Sequence, residues 1–385
     1  MSRGSDAARV ALILTLLAGL AVVAVPLMLD SGEPAVEGVG RPARGDDPAP
    51  FAPLGPEEAT GAAGQASLPT RAAGERVGPP GNEPSATPAR DPGTQVQLGR
   101  EVAWVDGTAV PYSPASAFLL PGERMHLDVR PDPARQRLVR ADSAGTLERL
   151  DGDTWAWTAP DEPGVHTLRV VEEGRETAFV LRVFVQVPAS EISGGSLDGY
   201  RIGSYPSVPL RGDSSYISPD GFVRVTEENR DLRVSPRFRL RHFETKQGGG
   251  FPRYLALQRR LLTKLELLVD ALVERGYPVR SLHVMSGYRT PAYNRAIGNT
   301  TSYSRHLWGD AADVFVDEDG DGWMDDLDGD GAVTIEDARV LYEIVDSLDA
   351  AIDTRRLAGG LSLYGPRPHR GPFVHMDARG APARW

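Results

Sequence analysis

Residues 10–29 form an uncharged, nearly continuous apolar run of 20 positions, with Arg3 and Arg9 before it and Asp30 after it. At 1.5 Å per residue such a run spans a hydrocarbon core roughly 30 Å thick. The flanking charges predict that the N-terminus stays in the cytoplasm and everything beyond Asp30 lies outside. Residues 1–30 therefore read as a signal-anchor, a transmembrane helix in the bacterial cytoplasmic membrane. Secretion after signal cleavage is the alternative. The run is long for a signal peptide, however, and no small-x-small site closes it. Residues 31–93 are Pro, Gly, Ala and Glu with few large apolar side chains. They predict a disordered linker, because too little surface can be buried to offset the entropy of ordering.

From 94 to 188 the pattern changes to short alternating runs, such as Met125-His126-Leu127-Asp128-Val129, separated by turn signals such as Asp151-Gly152-Asp153. Period-two alternation with turns every ten residues or so predicts an all-β, immunoglobulin-like sandwich. Residues 189–385 are mixed. A helix is expected over 254–275, with Leu261, Leu265, Leu268, Val269 and Leu272 on one stripe and Gly276 as its stop. A buried strand over 281–285, a second helix over 335–348 and a strand over 373–377 complete an α+β C-terminal domain.

Composition narrows the chemistry. The formal charge of −11 and the lack of a long Lys/Arg run argue against a nucleic-acid partner. The absence of cysteine removes disulfides, thiol nucleophiles and cysteine-based zinc sites. His306 and Asp313 stand seven apart with small residues between them, and His375 follows on an apolar strand. Two imidazoles and one carboxylate, with a fourth position left to water, are the open donor set of a catalytic zinc. His283 and His166 read instead as packed histidines.

The run Ser304-x-His306-x-x-Gly309-x-Ala311-x-Asp313, followed by a strand histidine, resembles the zinc D-Ala-D-Ala carboxypeptidase and dipeptidase family of murein peptidases. Ser286-Gly287-Tyr288-Arg289-Thr290-Pro291-x-x-Asn294 is similar to that family's Ser-Gly-Tyr-Arg element. The tail from Gly371 to Trp385 is similar to an exported, murein-endopeptidase-like subgroup. The resemblance implies that His306, Asp313 and His375 are zinc ligands and that Arg289 holds a scissile carbonyl or substrate carboxylate. Ser286, Tyr288, Asn294 and Ser304 would be substrate-orienting or supporting groups. Many members carry a carboxylate three residues before the last histidine as general base, but that position here is Pro372. The remaining candidates are Asp377, two residues along the strand from His375, and His369 in the preceding loop, and the sequence favours Asp377. Asp377 could also merely orient His375.

Ten acidic residues fall within 317–337. The frame from Asp326 through Asp328, Asp330, Thr334 and Asp337, with Gly331 at its sixth position, resembles the calcium loop of EF-hand and dockerin segments. A second, overlapping frame uses Asp317, Asp319 and Asp321. The sequence thus predicts a structural Ca2+ beside a Zn2+, and a zinc-dependent peptidase of peptidoglycan stem peptides or cross-links. Two other readings are open: a catalytically inactive zinc-holding murein-binding protein, and a calcium-stabilised surface adhesion module.

Overall fold

The computed structural model describes residues 103–129, 137–142, 144–172, 175–351 and 357–385. The expected spanning segment and linker lie outside the described residues. Among those described, no helix is long and apolar enough to cross a membrane.

The alternating runs form strands. The first nine are β1 (Ala103–Val105), β2 (Thr108–Val110), β3 (Ala115–Leu119), β4 (Arg124–Val129), β5 (Arg137–Ala141), β6 (Thr146–Asp151), β7 (Thr154–Thr158), β8 (Gly164–Glu172) and β9 (Arg175–Val185). In β4 the pattern read from sequence is realised: Met125, Leu127 and Val129 are buried, whereas Arg124 and His126 are exposed. The strands make one sheet in the order β2-β1-β4-β7-β6 and another in the order β3-β9-β8-β5. Their inner faces share a core that includes Trp157, Phe179, Leu181 and Val183. This all-β part is a two-sheet arrangement, with β3 and β9 running parallel.

A second core begins near Phe184 and extends to Met376. β10 (Val187–Pro188) leaves the sandwich, and β11 (Ser196–Leu197) and β12 (Tyr200–Arg201) form a small hairpin. β13 (Gly221–Val225) pairs with β10 on one side and with β14 (Arg253–Leu255) on the other. β14 occupies part of the stretch expected to be helical. Tyr254 and Leu255 pair with Arg224 and Val223, so the helix starts only at Arg259. The apolar run 254–257 is buried on every side chain, a pattern that does not separate strand from helix. The helix itself, α1 (Arg259–Glu274), buries the predicted leucine stripe completely. It stops at Gly276, which takes a positive φ of 90°.

The functional half of the molecule is a five-stranded sheet, ordered β15-β16-β18-β17-β19. Its members are β15 (His283–Ser286), β16 (Ala311–Phe315), β17 (Gly360–Tyr364), β18 (Phe373–Asp377) and β19 (Ala383–Arg384). α2 (Pro291–Ala296), capped by the Thr290 hydroxyl, follows β15, and α3 (Ile335–Ala351) packs on β17 and β18. The chain from β1 onward belongs to one compact unit. The sandwich meets α1 directly. Tyr112 Oη lies 3.1 Å from Thr263 Oγ1, and Arg259 donates to the Val105 carbonyl.

Candidate metal centre

Strand register sets the site. Ser286 on β15 lies opposite Asp313 on β16, Asp313 opposite His375 on β18, and His375 opposite Ser362 on β17. Four side chains on four strands therefore share one row and one face. His306 arrives from outside the sheet, on the 3-10 turn Arg305–Trp308 that feeds β16. That turn ends at Gly309 in the left-handed region, φ 69°. A Cβ at Gly309 would sit 2.2 Å from the Ala256 carbonyl oxygen, so only glycine fits both the turn and the close approach.

The three predicted zinc ligands converge. His375 Nδ1 is 2.9 Å and His306 Nε2 is 3.3 Å from Asp313 Oδ1. One donor atom from each lies within 4.8 Å of the other two, and all three residues are buried. Each is held from behind. His306 Nδ1 is 2.7 Å from the Gly287 carbonyl, so it carries the proton and leaves Nε2 as a lone-pair donor. Asp313 Oδ2 accepts from Arg289 at 2.7 Å. The far nitrogen of His375, Nε2, faces Asp377 Oδ2 at 3.6 Å.

Burial alone would push the Asp313 carboxyl up. The two histidines and Arg289 outweigh it and hold the group well below the ordinary carboxylate range. His306 is pushed down by burial and by the Arg289 charge, which favours the neutral ring that a metal requires. At His375 burial works in the same direction, but the carboxylates of Asp313 and Asp377 win and raise it. Two imidazoles and a carboxylate with the donor atoms inward fit a zinc ion by donor chemistry and by spacing.

Asp377 is engaged on all sides. It is fully buried, and its carboxylate accepts from the Gly360 amide, the Arg379 amide and the Arg379 guanidinium. The buried Lys264 of α1 donates to its main-chain carbonyl at 2.9 Å. His369 is exposed, in the turn bounded by the Arg367–Arg370 bridge. Arg289 also donates to Ser286 Oγ at 2.9 Å. Tyr288 points into the core, with its hydroxyl 2.9 Å from that of Tyr205. Asn294 donates to the carbonyls of Asn299 and Thr301 and so pins the loop that leads to Ser304, itself buried at the start of the His306 turn.

Four residues near the row escaped the sequence reading. Ser362 is buried opposite His375, and the Trp385 ring lies 5.5 Å from the His375 ring. Lys246 stands on the rim, close enough to Arg289 and Asp313 for both charges to act on it. Asp310 is fully buried between Arg305 and Arg260. Only Asp310 carried a sequence signal, through its place in the histidine motif beside Arg305. Ser362 is joined to the site by pairing across the sheet, while Trp385 follows the edge strand β19 and Lys246 comes from a loop outside the sheet.

In the acidic insertion, Asp326, Asp328 and Asp330 form one group of converging oxygens, and Asp317, Asp319 and Asp325 form another. The frame that begins at Asp317 therefore gathers Asp325 where Asp321 was expected. Asp321 accepts instead from the Trp323 amide. Asp337 is fully buried and spent on the amides of Leu327, Asp328 and Thr334, while Thr334 Oγ1 accepts from Glu336 at the start of α3. His283 is more than packing. It stacks on Phe315 with centroids 4.5 Å apart and sits 3.2 Å from Asp317.

Residues 245–324 match the model of the Peptidase M15 family. That stretch contains Arg289, His306 and Asp313 and supports a metallopeptidase; peptidases of that family depend on zinc, and the His306-Asp313-His375 group could hold a metal ion. No curated protein matches the chain. Among solved structures, the Yersinia pseudotuberculosis adhesin InvE is 16% identical over 24% of this chain and 29% of its own, with a TM-score of 0.16. The chain thus spans less than a third of that adhesin, and a likeness this slight carries no argument.

Proposed function

We propose that this chain is a zinc peptidase that hydrolyses peptide bonds in peptidoglycan stem peptides or cross-links, held outside the cytoplasm by an N-terminal membrane anchor. The observation that carries the reading is the convergence of His306 Nε2, Asp313 Oδ1 and His375 Nδ1 in a buried row, each oriented by a partner behind it. A bound zinc ion supplies Lewis acidity toward a substrate carbonyl and toward water. The Arg289 guanidinium, fixed by Asp313 and Ser286, offers its remaining N–H groups to a carbonyl oxygen that gains charge or to a substrate carboxylate. Asp377 orients His375 and is not free to take a proton, since arginine and amide donors use its oxygens. Of the two candidates this leaves His369 to move the proton.

Purified peptidoglycan incubated with the protein is expected to release new muropeptides, with release abolished by chelator and restored by zinc. His369→Ala is expected to slow release by about a hundredfold with zinc content unchanged. An unchanged muropeptide profile with zinc and murein both bound would select the inactive murein-binding reading, which the proline at 372 keeps open.

The same reading gives the acidic loops a structural Ca2+, hard and oxygen-bound, that steadies α3 against the sheet. Millimolar calcium is then expected to raise the melting temperature by several degrees over chelated protein. Asp326→Ala together with Asp328→Ala is expected to remove that gain, and magnesium not to reproduce it. An unchanged melting curve would end the calcium assignment.

A further inference from the structure

Six arginines run in single file along one flank of a protein whose formal charge is −11. Arg140 on β5 lies directly opposite Arg169 on β8. Arg182 on β9 lies opposite Thr167, two residues from Arg169, so all three share the outer face of the sheet. The opposite face carries the buried Val139, Leu168, Leu181 and Val183. Arg182 then donates to the Arg233 carbonyl at 2.7 Å, Arg233 bridges to Arg239, and Arg241 follows two residues on. None of the six is buried.

Their charge is poorly answered. Asp142 pairs with Arg169 and Asp231 with Arg241. Arg140, Arg182, Arg233 and Arg239 form no ion pair among the described residues. The last three donate instead to main-chain carbonyls, those of Arg233, Pro236 and Asp231. A carbonyl satisfies N–H groups but cancels no charge. Burial and the neighbouring arginines both depress Arg182 and Arg239 below their ordinary values. Like charges placed directly across strands cost stability. Elsewhere the chain supplies carboxylates freely, as where Glu266 and Asp270 both hold Arg237. Along the file it answers only Arg169 and Arg241, which leaves room for an anion from outside.

We infer that this ridge docks the protein on the peptidoglycan network itself, gripping the free carboxylates repeated along its stem peptides; the inference rests on the murein reading above. A planar guanidinium fork suits carboxylates. A single file suits a string of anions, whereas a membrane surface is met by a broad face with apolar side chains at its centre. The file also leads toward the chemistry. Arg241 is two residues from Phe243, whose carbonyl accepts the Tyr288 amide next to Arg289. Polymer held on the ridge is thereby kept close to the metal row.

The test is co-sedimentation of the full chain with purified, insoluble peptidoglycan, alongside hydrolysis of a soluble stem peptide. The variant carries Arg140→Gln, Arg169→Gln and Arg241→Gln, all solvent-facing positions. Binding is expected to weaken by about tenfold or more and to lose most of its salt dependence, while hydrolysis of the soluble peptide stays unchanged. The matching Arg→Lys variant, which keeps the charge, is expected to recover most of the binding. Sedimentation unaffected by the glutamine variant would overturn the inference. So would a loss confined to vesicles of phosphatidylglycerol and phosphatidylcholine, which would make the ridge a membrane contact. If the unaltered chain binds peptidoglycan through these arginines yet hydrolyses nothing, the peptidase reading falls and the ridge stands. Hydrolysis with arginine-independent binding does the reverse.

Discussion

Asp313→Asn is expected to abolish both zinc retention and peptidoglycan cleavage. The substitution keeps the shape and removes the negative charge. It also breaks an arrangement in which one carboxylate serves two histidines through Oδ1 and Arg289 through Oδ2. In its place an amide would present a neutral oxygen to the metal and leave a guanidinium without its counter-charge. Zinc affinity should fall by roughly a thousandfold or more, about 4 kcal/mol, read as metal content after dialysis. Asp377→Asn makes the useful contrast. It weakens the support behind His375 and the pairing with Arg379 but leaves all three ligands in place, so a loss of about 10–100-fold in affinity or rate is expected, with zinc still bound at saturating concentration. If the Asp313 variant kept stoichiometric zinc and full activity, this row of residues would not be the metal centre.

Gly309→Ala is expected to be a severely damaging single-methyl change beside the site. The position combines left-handed backbone with a Cβ location 2.2 Å from the Ala256 oxygen and 2.7 Å from the Leu257 nitrogen. The obstruction is main chain, which cannot rotate away. The same turn accepts Gln258's amide at the Gly309 carbonyl and Gln258's side chain at the Trp308 carbonyl, so the start of α1 docks there as well. A cost of about 3–5 kcal/mol is expected, seen as a drop in melting temperature of roughly 10 °C. His306 sits three residues away on this turn, so zinc affinity should fall with stability. A variant with unchanged melting would mean that the turn can relax in a way the packing against Ala256 does not suggest.

The ligands and the strands were legible in the sequence for different reasons. Period-two alternation marked β4 and the apolar run marked β18, because each buries one face or both in a regular way. The histidine motif marked His306 and Asp313, because a turn that places an imidazole beside the next strand needs a glycine and small residues at fixed spacing. What pairs with what across the sheet was not legible. Ser362, Trp385 and Lys264 reach the site through contacts spanning many residues, and no local pattern encodes such partners. The start of α1 was misread because a fully buried run satisfies both periods. The role of Asp377 was open because strand parity puts it beside His375 without saying which ring nitrogen it meets. In the fold its carboxylate faces His375 Nε2 at 3.6 Å and accepts from Arg379 on its other side.

α1 has two working sides. Arg259 and Thr263 reach the sandwich, while Arg260 and Lys264, each one position further along, reach Asp310 and the Asp377 carbonyl. A tug on the sandwich is thus delivered, through one stiff rod, to the shared end of the two strands that carry Asp313 and His375. An enzyme that grips a stretched polymer with one part and cuts it with another would sense load through that rod, without any hinge or second messenger.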